Sequence, residues 1–77
     1  MVSSKKITEM FKALSPKRKE KVTHAIYEKF GVGTQSSRNA WFYSGKIPDD
    51  KIEGCHKIVS EELKEQLKEI QSLIDVI

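Results

Sequence analysis

Ile7, Met10, Phe11 and Leu14 fall three and four residues apart, the spacing of one helical face, and predict a packing helix over KKITEMFKAL capped by Ser3 or Ser4. Ser15-Pro16 stops it and starts another, because serine is a good cap and proline is tolerated at the first helical position. The second helix is expected from Pro16 to about Phe30, with Val22, Ala25, Ile26 and Phe30 inward. Gly31-Val32-Gly33-Thr34 then punctuates the chain: glycine usually stands just past a helix end, and Thr34 is placed to cap the next helix. Gln35 to Ser44 reads as a short helix too polar for a core element. Its three consecutive aromatics cannot share one side when each residue turns the helix by about 100°. Trp41 and Phe42 are therefore expected inside and Tyr43 outside, with Thr34 and Ser37 near the buried side. Gln35, Ser36 and Asn39 point away, and Arg38 falls on the flank.

After Pro48 the helical pattern resumes. Asp49 or Asp50 is expected to cap it, and Asp50 with Glu53 has capping-box spacing, which gives these acids a structural reading. Ile52, Cys55, Ile58, Val59 and Leu63 form its inner face, although Gly54 weakens the second turn. No turn signal appears beyond this point, so a fifth helix nucleated at Ser60 and a continuation of the fourth both remain open. Leu63, Leu67, Ile70, Ile74 and Ile77 step by 4, 3, 4 and 3, a heptad seam that Leu73 widens. Such a seam folds back on its own domain or pairs with a second chain; the expectation is a dimer contact.

The pattern predicts an all-α domain, a small bundle of four to five helices. Residues 1–59 hold a helix-turn-helix and residues 60–77 an amphipathic C-terminal helix, the dimerisation element. At 77 residues the chain is one domain whose monomer core is modest, since a chain this short buries only about 60% of its unfolded surface. No apolar run approaches the roughly 20 residues of a membrane span. MVSSKK lacks the apolar centre of a signal peptide, and Cys55 is the single cysteine, so a reducing, cytoplasmic setting is expected.

Charge adds the strongest hint of a partner. The net charge of +3 conceals a division: residues 1–46 carry ten Lys or Arg against three Glu, a balance of +7, and residues 47–77 carry four Lys against eight acids, a balance of -4. The basic part holds the short polar helix, where an electrostatic footprint for phosphate would be needed. Lys17, Arg18, Lys19 and Lys21 crowd the start of the second helix, where the dipole favours acids; a bound phosphate would relieve that, and a solvated lysine face is the plainer alternative. Lys46, in the turn after the polar helix, is also assigned to phosphate. Gln35, Ser36, Arg38, Asn39 and Tyr43 are of types that hydrogen-bond base edges.

The run Trp41-Phe42-Tyr43-Ser44-Gly45-Lys46-Ile47-Pro48 resembles the W-x-x-x-G-x-I-P segment closing the reading helix of Cro-type phage repressors, within the lambda-repressor-like helix-turn-helix superfamily. The resemblance covers roughly residues 20–60. It implies a small helical DNA-binding regulator from a phage or an integrated element.

Enzyme chemistry finds little support. His24, Cys55 and His56 do not make a set of convergent metal ligands, the last two being adjacent on a helix. Gly31-Val32-Gly33 and Gly45-Lys46 both lack the strand and the Gly-Lys-Ser/Thr of a phosphate loop. No cofactor, metal or small-molecule ligand is expected. The expected function is sequence-specific recognition of double-stranded DNA by a homodimer that represses transcription at an operator. The rival is a helical protein-protein adaptor, such as an antitoxin or anti-repressor-like module, and an RNA-binding role ranks third.

Overall fold

Specific hydrogen bonds set the starts of the first two helices and the end of the second. In the computed structural model, which describes residues 3–76, the Ser3 hydroxyl accepts from the Lys6 N–H at 3.2 Å and opens α1 (Ser4–Lys12). The Ser15 hydroxyl accepts from the Arg18 N–H at 3.4 Å and opens α2 (Pro16–Phe30) on its proline. Gly31, at φ +72°, closes α2 with its N–H on the Tyr27 carbonyl at 2.8 Å. Left-handed backbone of this kind is cheap only without a Cβ.

The next helix, α3, covers residues 34–43 and changes winding partway. Thr34–Ser36 form one α-helical turn and Ser37–Tyr43 widen to π geometry, sealed by the Ser44 N–H on the Asn39 carbonyl at 3.0 Å. Wider winding turns less per residue than an α-helix, so the neighbours Trp41 and Phe42 are both buried while Tyr43 stays 47% exposed. Thr34 does not cap this helix: Gly33 occupies the cap with no side-chain bond, and Thr34 instead lends its carbonyl to the Ser37 hydroxyl at 3.1 Å.

A 3-10 turn, Asp49–Lys51, leads into α4 (Ile52–Val76). The expected Asp50–Glu53 capping box is not formed; Pro48 stands at the cap, and Asp50 pairs with Lys51 at 3.2 Å. Helix α4 runs through Ser60 without a break, so the described residues hold four main helices and no separate fifth.

The chain is all-α, and its core is Ile7, Phe11, Leu14, Val22, Ile26, Trp41, Phe42, Ile47, Cys55 and Val59. The rings of Phe11 and Phe42 stack at its centre, 4.2 Å apart and 5° from parallel. Helix α4 lies antiparallel to α2, with Gly54 against Phe30 at one end and Glu62 against Arg18 at the other. A Cβ on Gly54 would sit 2.6 Å from the tip of the Phe30 ring, so this glycine permits a close approach as well as loosening a turn.

At 1.5 Å per residue, α4 is about 37 Å long, and it accounts for most of the molecule's 42 Å longest dimension. Its first half covers the core. Its second half is stitched to the α1–α2 turn, with Gln66 accepting from the Ser15 N–H at 2.7 Å and donating to the Ala13 carbonyl at 2.9 Å.

Candidate nucleic-acid interface

Helix α3 packs by Ser37, Trp41 and Phe42, which leaves the rest of its circumference to solvent. Gln35, Ser36, Asn39, Ala40 and Tyr43 are exposed and Arg38 is half-buried on the flank. Among the described residues no hydrogen bond engages the side chains of Gln35, Ser36, Arg38 or Asn39. All five expected base readers are thus carried by one short helix. Sequence reasoning passed over Ala40, whose methyl is also exposed on this helix; an apolar contact of that size suits a thymine methyl.

An open groove of about 590 Å³ runs between α2 and α3, lined by Glu20, Thr23, Thr34, Gln35, Arg38 and Asn39. Thr23 is held there as a fixed wall, its hydroxyl donating to the Lys19 and Glu20 carbonyls at 3.2 and 3.0 Å. Glu20 places a carboxylate in a groove otherwise lined by neutral and basic groups. Neither residue carried a sequence signal, because the packing of α2 across α3 is what brings them to the groove.

At the far end of α3 a smaller hollow of about 290 Å³ is lined by Lys5, Thr8, Tyr43, Ser44 and Gly45. The Ser4 hydroxyl donates to the Gly45 carbonyl at 2.6 Å and ties the start of α1 to the turn after α3. The Tyr43 ring meets the Phe11 ring edge-on, 6.0 Å between centroids, so a residue that is 47% exposed is braced against the core.

The five expected phosphate anchors do not share one fate. Lys17, Lys21 and Lys46 are exposed. Lys19 is half-buried, with its Nζ 5.9 Å from the centroid of the Phe11 ring, a cation–π distance. Arg18 is buried: its Nη1 bonds Glu62 at 2.8 Å and its Nη2 bonds Glu69, both on α4. A guanidinium so placed is committed to the fold, and Arg18 leaves the phosphate set.

The same pairs answer the apparent electrostatic frustration of α2. The helix has no acid in its own first turn, and the carboxylates that a helix N-terminus favours come from α4 instead. Of the five heptad positions, Leu63 packs on the core while Leu67, Ile70 and Ile74 are exposed; Ile77 lies outside the described residues. Leu73 is exposed as well.

Among the described residues no three of His, Cys, Asp and Glu gather as metal ligands. His24 pairs with Glu28 at 2.6 Å on the outer side of α2. Cys55 is fully buried, and burial pushes its thiol up to about 11 against the weaker opposing pull of Lys51 and Lys29. A protonated, enclosed thiol is a poor nucleophile. No described helix is long and apolar enough to cross a membrane. No protein-family model, no curated protein and no solved structure matches the chain.

Proposed function

We propose that this chain is a sequence-specific, double-stranded-DNA-binding regulator of the Cro-like kind, with α3 as the helix that enters the major groove. One observation carries the reading: Gln35, Ser36, Asn39 and, on the flank, Arg38 stand on one short helix with no described hydrogen bond to their own protein. Polar side chains left unengaged on a rigid helix are suited to base edges. Asn39 would bond adenine, Arg38 a guanine edge, and Gln35 and Ser36 the bases beside them. Tyr43, braced on Phe11, would contact the sugar-phosphate or a base at the far end.

Phosphate anchoring falls to Lys17, Lys21 and Lys46, with Lys19 in support; Lys5 beside Tyr43 adds a cation at the second flank. The mechanism is occupancy: a dimer holding two half-sites would exclude other proteins from the same DNA and act as a repressor. It assigns no catalytic step and no cofactor. The setting it fits is cytoplasmic, in a phage or an integrated element.

The exposed apolar stripe of α4 favours a second reading, a protein-protein adaptor that grips its partner with that helix. One experiment separates the two. The protein is incubated with a random-sequence DNA pool at two salt concentrations and the retained DNA is sequenced. Enrichment of a two-fold symmetric motif, with affinity falling steeply as salt rises, is expected. Retention without enrichment leaves a non-specific DNA binder, and no retention leaves the adaptor.

A further inference from the structure

Helix α4 uses one side for two purposes. Cys55 and Val59 are buried on that side, and Ile52 and Leu63 pack against the core from it. Beyond Leu63 the core ends, but the apolar residues do not: Leu67, Ile70, Leu73 and Ile74 are 57%, 46%, 68% and 59% exposed. With successive residues about 100° apart, these four continue the core-facing side past the end of the globule, rotated by a fraction of a turn.

We infer that this stripe is covered by the same stripe of a second copy, with the two α4 helices antiparallel. Orientation follows from the single-sided design. Because the globule lies on the side of α4 that bears the stripe, it fills the space a parallel partner's α4 would need, and two parallel copies would drive their globules into each other. Running antiparallel, each copy's globule lies past the other's helix end, beside the α1–α2 turn that Gln66 holds.

Pairing about an axis near Ile70 sets Leu67 opposite the partner's Ile74 and places Ile70 beside the partner's Ile70. Charge agrees with this register. Lys64, Gln71 and Asp75 follow one margin of the stripe, with the Gln71 amide donating to Asp75 at 3.0 Å. Reversal brings Lys64 within one helical turn of the partner's Asp75 and leaves the neutral Gln71 at the centre. On the opposite side Arg18 is shared by Glu62 and Glu69, which reduces without cancelling the repulsion that Glu69 brings to the partner. The contact spans eight residues, about 12 Å of helix, so the association is concentration-dependent rather than permanent.

The inference depends on α4 as a self-association helix and not on DNA binding. Cysteine pairing tests it in the full chain, because buried Cys55 gives little background and positions 67, 70 and 74 are exposed enough to accept the change. Three variants, Leu67→Cys, Ile70→Cys and Ile74→Cys, are oxidised separately and in mixtures, with sedimentation of the reduced proteins alongside. Ile70→Cys alone and the Leu67→Cys with Ile74→Cys mixture should each give at least fivefold more disulfide dimer than Leu67→Cys or Ile74→Cys alone. Comparable dimer from all three single variants would mean parallel helices and overturn the proposal. A monomer at every concentration, with no cross-link, would overturn it too and leave the stripe for a different protein. If that monomer still enriched a DNA half-site from a random pool, the reading of α3 would stand without the dimer.

Discussion

Lys17 and Arg18 are adjacent cations at the start of one helix, yet one is exposed and the other is buried against two carboxylates. Their substitutions should therefore report on different properties. Removing the Arg18 side chain leaves the Glu62 carboxylate, 25% exposed, without its partner. Arg18→Ala is expected to lower stability by about 2 kcal/mol, between the values for a surface pair and a fully buried one. Denaturant titration gives the loss, and DNA affinity at low temperature should keep its salt slope. Lys17→Ala should leave the folding transition in place and reduce the salt slope by about 1. Identical effects from the two variants would cancel the distinction.

Asn39 and Cys55 make opposite claims on solvent. Asn39→Ala should cost about 1–3 kcal/mol in discrimination between specific and random DNA, with non-specific affinity nearly unchanged; equal loss on both kinds of DNA would remove Asn39 from the readers. Cys55 has its folded pKa raised from 9.0 to about 11. Between those values the unfolded thiol is ionised and the folded thiol is not, so the unfolded state holds fewer protons and stability falls as pH rises from 9.0 to about 11. Below that window both states are protonated and the contribution is constant. Stability against pH for the wild type and Cys55→Ala should diverge only there, and parallel curves would refute the assignment.

At the scale of elements, the π winding of Ser37–Tyr43 decides what α3 shows to its surroundings. Its smaller step per residue sets the inward directions of Trp41 and Phe42 closer together than an α-helix would, and both rings are buried while Tyr43 stays exposed. Gly54 makes a comparable choice in α4. An alanine at an exposed helical glycine adds about 1 kcal/mol of stability by propensity. Here the new methyl meets Phe30 at 2.6 Å, and that ring is in turn packed on Trp41, 6.1 Å between centroids. Gly54→Ala should therefore lose about 1 kcal/mol net, overpacking outweighing propensity. A rise in melting temperature would show that the Phe30 ring moves aside freely.

For the whole molecule, stability and the proposed assembly are assigned to different lengths of one helix. Residues 52–63 of α4 close the core, residues 62–69 clamp α2 and the α1–α2 turn, and residues 67–74 carry the exposed stripe. A charge in the last stretch should break assembly and spare the fold. Ile70→Asp is expected to sediment as a monomer with an unchanged unfolding transition and to bind a two-fold symmetric operator far less tightly. A dimer of unaltered mass would place the interface elsewhere.

Helix boundaries and the inner faces were written in the sequence because they depend on neighbours within a turn or two. Ser15-Pro16 and Gly31 bound α2 where the spacing placed it, and the aromatic triplet divided as its step angle required. The exposed polar set on α3 was legible for the same reason. Tertiary packing decided the rest. Arg18 became structural because α4 returns antiparallel to α2 and brings Glu62 and Glu69 from far along the chain. Thr34 and Asp50 lost their caps to the paths of the turns around them, and Glu20 and Thr23 joined the groove by the crossing of two helices. A cation in sequence has a charge but no neighbours, and only the folded chain determines whether that charge meets a carboxylate or is left for a phosphate.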